Sequence, residues 1–296
     1  MQHTAPVGCV HAWPAGLSMS LIRKEIEQHY SEVQESERLS SGVGELERLR
    51  TEEILAAHLP PPPAVIYDVG GAAGVYAFPL AKRGYTVHLV DPVDLHLEQA
   101  RALASSSGVA LASINLGDAL LLGAPALTAD AVLLFGPLYH LVDRSERIEA
   151  LREAFRILKP GGVMFAAAIS RFASLIDGSV EGFLQDPEFR EIVAADLASG
   201  QHRNPTGNPA YFTTSYFHRP EELETEVAEA GFQNARALAV EGPVWSAARF
   251  NKAWKDETQR KTLLEFLAIV EQEPSIRGAS AHLVAVAERP KLRGPE

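Results

Sequence analysis

Residues 68–92 read DVGGAAGVYAFPLAKRGYTVHLVDP. An apolar run ends in a glycine-rich turn, a helix-like stretch follows at 75–83, and a second apolar run ends on Asp91. Short apolar runs bounded by glycine are typical of strands that are buried in a parallel sheet. The stretch therefore predicts a strand, a tight turn, a helix and a second strand, a unit that binds nucleotides in two kinds of α/β fold.

The glycine spacing distinguishes two kinds of cofactor. A dinucleotide fingerprint, G-x-G-x-x-G, uses its second glycine to bring the backbone close to a pyrophosphate. Counted from Gly70, the second and third places hold Ala72 and Val75, so two of the three positions fail. The acid-x-G-x-G-x-G pattern of S-adenosylmethionine sites is filled by Asp68, Gly70, Ala72 and Gly74, with alanine as one conservative departure. The spacing therefore favours S-adenosylmethionine over NAD.

Two carboxylates suit this cofactor. Asp68 is placed to reach the ammonium group of the ligand, directly or through water, and Asp91, 21 residues beyond Gly70, is placed to accept hydrogen bonds from both ribose hydroxyls. Each feature also has a plainer explanation. The turn can be an ordinary strand-to-helix connection, and Asp91 can be a helix N-cap that precedes Pro92.

Two later stretches fit the same ligand. NLGDAL, at 115–120, places Asp118 to accept from an adenine amino group while the Ala119 amide faces a ring nitrogen. DAVLLFGPLYHL, at 130–141, brings residues 135–139 to the carboxyl edge of the sheet, where doubly wound folds bind their ligands.

Strand and helix patterns alternate along the chain, which indicates a parallel sheet with helices on both faces. Strands are predicted at 64–69, 85–90, 110–115, 130–135, 162–169, 234–240 and 280–288, and helices at 75–83, 93–106, 143–158, 219–230 and over most of 248–272. LKPGG, at 158–162, predicts a helix end and a turn. The expected fold is an α/β, Rossmann-like, seven-stranded and mostly parallel sheet.

The remaining segments suggest a domain organisation. Residues 1–18 are expected to be a flexible tail, with Met19 as an alternative start, and residues 19–58 an N-terminal helical cap made of helices at 20–38 and 44–58. The α/β core would comprise 59–170 and 219–290. Residues 171–218 interrupt it with a predicted helix at 181–198 and a long loop, and insertions of this length commonly serve as substrate lids.

Composition excludes several classes of protein. A net charge of −11, from 38 acidic and 27 basic residues, argues against nonspecific nucleic-acid binding and favours a small-molecule substrate. Cys9 is the one cysteine, so a disulfide scaffold is excluded, a Cys/His zinc site is disfavoured, and a cytoplasmic location is expected. No apolar run reaches the roughly 18 residues of a membrane span, and no signal peptide is recognised at the N-terminus. The sequence does not distinguish a monomer from a homodimer.

The quoted motifs DVGGAAG, VHLVDP, GDA, LLFGPLYHL and RILKPGG together resemble class I S-adenosylmethionine-dependent methyltransferases, in particular the bacterial ubiquinone- and menaquinone-methyltransferase-like group. The resemblance covers about residues 60–170. It implies a last strand that runs antiparallel between strands five and six. It also implies a cofactor site that includes Tyr30 and Arg38 from the helical cap, with Arg38 on the methionyl carboxylate, and Gly70, Gly71, Gly74, Asp91, Pro92, Asp118, Ala119, Phe135, Gly136 and Leu138 from the core.

The reaction implied is an in-line displacement at the sulfonium methyl, which leaves S-adenosylhomocysteine. No metal is expected to be required. His140, just after strand four, is the first candidate base, with Tyr139 and His218 as further catalytic candidates, although each can equally be a packed structural side chain. The candidates for the acceptor pocket are Arg171, Phe172, His202, Tyr211, Tyr216 and Trp245, whose aromatic rings can instead form the core of the insertion.

The aromatic insertion suggests a natural-product acceptor, and indole C3 of a tryptophan-containing cyclic dipeptide is the first specific hypothesis. O- or N-methylation of a quinone, phenol or amine is the alternative. Two further hypotheses place the protein in another functional class: a noncatalytic S-adenosylmethionine-binding module, or an NAD-dependent oxidoreductase. The second is disfavoured because the glycine spacing does not match the dinucleotide fingerprint.

Overall fold

The computed structural model of the protein describes residue 26 and residues 38–291. The predicted flexible tail at 1–18, the possible start at Met19, the candidate Tyr30 and most of the first predicted helix lie outside the described residues. From the N-terminal part, Ile26 is helical and only 1% exposed.

The sheet is built as the alternating pattern predicts. Its strands, in chain order, are β1 (Val65–Val69), β2 (Thr86–Asp91), β3 (Ser113–Leu116), β4 (Ala129–Leu134), β5 (Leu158–Ser170), β6 (Gln201–His202), β7 (Ser215–His218), β8 (Gln233–Ala239) and β9 (His282–Glu288). The core order is β3-β2-β1-β4-β5-β9-β8, and β9 runs antiparallel to both of its neighbours. The prediction of a last strand inserted antiparallel between the fifth and sixth core strands is confirmed.

Helices cover both faces of this sheet. They are α1 (Gly42–His58), α2 (Ala77–Lys82), α3 (Asp94–Ser107), α4 (Pro137–His140), α5 (Arg144–Ile157), α6 (Ala173–Glu181), α7 (Pro187–Ser199), α8 (Pro220–Glu229), α9 (Phe250–Lys255) and α10 (Glu257–Val270). Successive residues of β4 point to opposite faces: Val132 packs with α5 and α8, whereas Leu133 packs with α1, α2 and α3. The sequence of β4 is almost entirely apolar because helices cover the strand on both faces of the sheet.

The LKPGG prediction is partly wrong. The helix ends at Ile157, but β5 begins at once at Leu158 and runs through both glycines. Gly161 adopts a φ of +83°, and its N–H donates to the Arg289 carbonyl at 2.9 Å, so the glycines keep the chain within the sheet.

The insertion differs more from the prediction. The helix expected at 181–198 is α7, which begins six residues later, at Pro187, and an additional helix, α6, precedes it. Gly182, in the left-handed region, follows α6, and Asp186 caps α7 by accepting from the Glu188 N–H at 2.9 Å. The expected loop contains the antiparallel pair β6 and β7. Strands of two and four residues are too short for the alternation that reveals a strand in sequence.

The insertion joins the core sheet at one place. β7 pairs in parallel with the end of β5 through Ile169–Phe217 and Ser170–His218, beyond the point where β4 has ended. The sheet is thereby extended only at its carboxyl edge. In residues 26 and 38–291, no helix combines the length and apolar character needed to cross a membrane.

Candidate active site

A cavity of about 250 Å³ opens at the carboxyl edge of the sheet. The ends of β1, β2 and β4 supply Gly70, Asp91 and Phe135 to its wall, and Asp118 follows β3. Ligands of doubly wound folds bind where neighbouring strands diverge at this edge. Ile26 and Arg38 line the same cavity from the N-terminal part of the chain.

The glycine turn forms a close-fitting cradle at the cavity wall. At Gly70, where φ is +75°, a Cβ would lie 2.7 Å from Pro137 Cδ and 2.9 Å from the Phe135 carbonyl oxygen. At Gly71 a Cβ would lie 2.4 Å from a Leu89 methyl carbon. Only glycine fits these positions, so backbone rather than side chain faces a ligand. Gly74 does not line the cavity: it has a φ of +91° and is packed against the Phe78 ring, which closes the turn.

Ala72 occupies the place where the sequence pattern expects glycine, and its φ is +47°. This left-handed conformation costs a residue with a Cβ roughly 1–2 kcal/mol. The Ala72 N–H donates to Asp91 Oδ2 at 2.9 Å, which holds the turn in place. The alanine is tolerated at the expense of backbone strain.

Ala72→Gly should therefore raise the free energy of unfolding by about 0.5–1 kcal/mol, since the relieved strain exceeds the added entropy of the unfolded chain. Chemical denaturation would measure the change. Ala102→Gly, at an exposed position within α3, is the matched control and should lower stability by about 1 kcal/mol. Equal losses in the two variants would show that residue 72 carries no strain.

Asp91 connects the turn with the next helix. It is 3% exposed, lines the cavity, and accepts from the backbone N–H groups of Ala72 and Val93, each at 2.9 Å. His96 Nδ1 lies 3.0 Å from its Oδ1. A carboxylate has about four acceptor positions, so these three bonds leave capacity for a ligand hydroxyl. Val93, and not Asp91, is the N-cap of α3, so the explanation of Asp91 as a helix N-cap is wrong, and its binding of the ribose stays a prediction.

Asp68 lies beneath the turn rather than in the cavity wall. It is completely buried, and neither carboxylate oxygen has a hydrogen-bond partner among the described residues. Burial, and then the charge of Asp91, raise the pKa of Asp68 to about 7, with a partial offset from the Ala77 amide. The prediction that this carboxylate reaches a ligand ammonium directly is not supported, because Gly71 lies between the carboxylate and the cavity.

The remaining cofactor candidates lie mostly where the sequence indicated. The Asp118 carboxylate accepts from the Leu120 N–H at 2.6 Å, and burial raises its pKa. Pro92, Ala119, Phe135 and Gly136 line the cavity with it. Leu138 does not, because the turn of α4 directs it into the core, where it is fully buried. Arg38 lines the cavity and forms a bidentate ion pair with Glu47, with N···O distances of 2.5 and 3.0 Å.

Two of the three catalytic candidates lie at the cavity. His140 and Tyr139 both line it, with ring centroids 4.7 Å apart, and Phe212 of the insertion stacks 6.1 Å from the His140 ring. His218 is elsewhere: it is fully buried, its Nε2 lies 3.2 Å from Glu226 Oε2, and burial lowers its pKa. It holds the insertion to α8.

The six candidates for acceptor binding do not line the cavity, which corrects the prediction that they face its mouth. Their polar atoms are used in internal contacts, and Tyr211 packs in the insertion's own core with Phe189 and Ile192. The contacts are Arg171 with Glu222, His202 with Asp196, Tyr211 with Asp186, Tyr216 under Arg147, Phe172 under Arg219, and Trp245 with the Ala279 carbonyl. The insertion is therefore rich in aromatic residues because it has a small core of its own.

A cluster of two acidic side chains and a histidine, not predicted from sequence, lies at the other end of the cavity. Glu47, on α1, and His282, the first residue of β9, both line the wall, and Glu241 lies fully buried behind them. His282 Nδ1 is 2.6 Å from Glu241 Oε1 and 3.6 Å from Glu47 Oε2. The one signal in sequence is a polar residue at the start of an apolar strand, which reaches the carboxyl edge only because β9 is antiparallel.

These three side chains also place ligand atoms within 4.8 Å of one another, as a metal site would. Their oxygens are already used, however. Arg38 holds both oxygens of Glu47, and Ser280 and His282 hold those of Glu241. The cluster is a set of ion pairs, and the expectation that no metal is required stays a prediction.

Comparison with known proteins agrees with this geometry. Residues 66–162 match the family model described as "Methyltransferase domain". The chain is 36% identical over 106 residues to the ubiquinone biosynthesis O-methyltransferase of Methylocella silvestris, covering 36% of this chain and 40% of that protein. It is 30% identical over 166 residues to the enzyme of the same name from Chelativorans sp., covering 56% and 57%. The matches thus span less than two thirds of these relatives.

Solved structures show the same fold over most of the chain. A methyltransferase from Thermotoga maritima, described as a possible histamine N-methyltransferase, has a TM-score of 0.53 at 20% identity and covers 90% of this chain and 99% of its own. A second one, from Methanosarcina mazei, has a TM-score of 0.53 at 17% identity and covers 80% and 97%. Residues 66–162 therefore match a methyltransferase domain, and the two solved structures share the fold of the chain. The comparisons support S-adenosylmethionine as the cofactor.

Proposed function

We propose that the protein transfers a methyl group from S-adenosylmethionine to a small-molecule acceptor. The observation that carries the proposal is one cavity that joins the glycine cradle, Asp91 and Asp118 with two candidate proton-transfer groups, Tyr139 and His140. The cofactor supplies an electrophilic methyl on a cationic sulfur. The chain's own contribution is to align the acceptor with that methyl and to exclude water.

Different residues of the cavity would bind different parts of the cofactor. Asp91 would hold the ribose hydroxyls, and Asp118 with the Ala119 amide would hold the adenine. The Gly70–Gly71 backbone would face the methionyl chain, since no side chain intervenes there. Arg38 is the candidate for the methionyl carboxylate and would then share its guanidinium with Glu47.

We place the hydroxyl of a phenol or quinone precursor first among acceptors. The support is the likeness to proteins named ubiquinone biosynthesis O-methyltransferase, together with the histidines of the cavity wall. Methylation of indole C3 in a cyclic dipeptide is no longer favoured, because the aromatic side chains that suggested it lie outside the cavity.

The test is cofactor binding followed by an acceptor screen. Isothermal titration should show saturable binding of S-adenosylhomocysteine and none of NADH. Labelled S-adenosylmethionine should then methylate at least one member of a panel of phenols, catechols, indoles and amines. Binding of NADH alone would contradict the proposal, and cofactor binding without any methylated acceptor would favour a noncatalytic module.

His140 is proposed as the base that receives the acceptor's proton. His140→Ala should lower kcat by about 100-fold or more, the usual contribution of a general base, with the Kd for S-adenosylhomocysteine changed by less than about threefold. His58→Ala, at the opposite edge of the sheet, is the control and should leave kcat unchanged. If His140→Ala instead lowers the melting temperature and loses activity only to the extent that the protein unfolds, His140 is a structural residue.

A further inference from the structure

The order of strands gives the cavity two distinct ends. Asp91 and Asp118 lie at the ends of β2 and β3, whereas His282 begins β9 on the other side of β1, β4 and β5. Adjacent strands are about 4.8 Å apart, so β9 lies about 14 Å from β1 along the edge. His282 is therefore at the end of the cavity away from Asp91 and Asp118.

His282 is held in a fixed orientation. Glu241 accepts from its Nδ1 at 2.6 Å and from its backbone N–H at 2.9 Å. Glu241 is itself fixed by the Ser280 hydroxyl at 2.7 Å, and that hydroxyl accepts the N–H groups of Glu241 and Gly242. A buried carboxylate that orients one imidazole in this way is a recurrent means of presenting the other ring nitrogen to a ligand.

The other nitrogen is available to the cavity. Nε2 of His282 makes no hydrogen bond within the part of the chain that the structure describes, and the side chain is 25% exposed at the cavity wall. Glu47 Oε2, from α1, lies 3.6 Å from Nδ1, the ring nitrogen that faces Glu241. The site thus offers one oriented ring nitrogen to an acceptor.

The surrounding charges keep this ring protonated. Burial disfavours the charge, but Glu47 and Glu241 outweigh burial and raise the pKa of His282 to about 9, while Arg38 acts in the opposite direction. Burial of Glu241 is likewise outweighed by His282, so the pKa of that carboxyl is lowered. At neutral pH the Nε2–H is a charged hydrogen-bond donor, and such donors bind oxyanions strongly.

We propose, building on the methyl transfer above, that His282 binds the acceptor's hydroxyl oxygen as an oxyanion and that Glu241 is its positioning residue. The hydroxyl proton passes to His140. The oxygen's electron pair then forms the C–O bond while the S–C bond breaks and its electrons stay on sulfur. His282 remains protonated throughout, and the products are the methyl ether and neutral S-adenosylhomocysteine. The acceptor class is an acidic hydroxyl, a phenol or an enol.

The probe is 4-nitrophenol, whose ionised form absorbs visible light, titrated with pH on protein saturated with S-adenosylhomocysteine. Wild type should raise the acid dissociation constant of the bound phenol at least about tenfold, because a cation adjoins its oxygen. His282→Gln should return the constant to that of free 4-nitrophenol, and Glu241→Gln should give an intermediate value. His58→Gln is the control and should behave as wild type.

A second variant allows the proposal to be tested even if His282→Gln does not fold. Glu47→Gln removes one of the two charges that sustain the imidazolium, so the pH at which the bound phenol loses its stabilisation should fall below that of wild type. The role of His282 is overturned if His282→Gln leaves the acid dissociation constant of bound 4-nitrophenol at the wild-type value. It is also overturned if Glu47→Gln leaves unchanged the pH at which the bound phenol loses its stabilisation. Methyl transfer would stand in both cases. Methylation of amines or indoles by protein that does not bind 4-nitrophenol also overturns the role of His282. Failure to bind S-adenosylhomocysteine would instead defeat the proposed function.

Discussion

Asp91→Ala should weaken the binding of S-adenosylhomocysteine by roughly 10- to 150-fold. Hydrogen bonds to a charged group contribute about 1.5–3 kcal/mol, and the ribose hydroxyls would lose such a partner. The substitution also leaves the N–H groups of Ala72 and Val93 without their acceptor, so the glycine turn loses its support. Isothermal titration of the two proteins, at a temperature where both are folded, measures the ratio of Kd values.

Two companion variants separate the possible causes. Asp91→Asn retains an oxygen for the backbone donors but lacks the charge, so it should fall between wild type and alanine. Asp94→Ala changes an exposed acid three residues further on and should leave the Kd within twofold. An affinity for Asp91→Ala within twofold of wild type would remove this residue from the cofactor site.

Asp68→Asn should stabilise the protein increasingly as the pH rises. The folded pKa of Asp68 is about 7, above its ordinary value of 3.8. Because the folded state then binds more protons than the unfolded state between these values, wild type loses stability as the pH rises from about 4 to above 7. The loss is on the order of 4 kcal/mol at 1.36 kcal/mol per pH unit, and asparagine, which does not ionise, avoids it.

Denaturant unfolding of both proteins at pH 5, 6, 7 and 8 would measure the difference. The gain of Asp68→Asn over wild type should be smallest at the lowest of these values and should level off above the folded pKa. Asp94→Asn, at an exposed aspartate, should show no such trend. A difference that does not vary with pH would mean that Asp68 ionises as readily in the folded protein as in the unfolded chain.

The part of the cavity wall at the ends of β1 to β4 could be predicted from sequence because it is built from local features. Gly70, Asp91, Asp118 and Phe135 each lie at the end of a strand or within two residues after it, and the ends of parallel strands meet at one edge. Leu138 shows the limit of this reasoning. It lies only three residues beyond Phe135, but the chain has by then turned into a helix and the side chain points to the core.

The opposite end of the cavity, at His282, could not be predicted in this way. Glu47, Glu241 and His282 come from three distant segments, and only the antiparallel insertion of β9 brings them together. The aromatic residues of the insertion posed a different difficulty. Phe189 and Tyr211 pack equally well in a small core or around a ligand, and composition does not distinguish these surroundings.

The two-residue junction between β5 and β7 determines how the insertion could be exchanged. Because the insertion pairs with the sheet only where β5 extends beyond β4, its length and content can change without altering the register of β1, β2 and β4. The segment could therefore be replaced as a unit while the cavity wall at the ends of these strands is kept. Chimeras would be cut at residues 170 and 219, and a foreign segment would need to replace the contacts of Phe212 with His140, of Tyr216 with Arg147 and of His218 with Glu226.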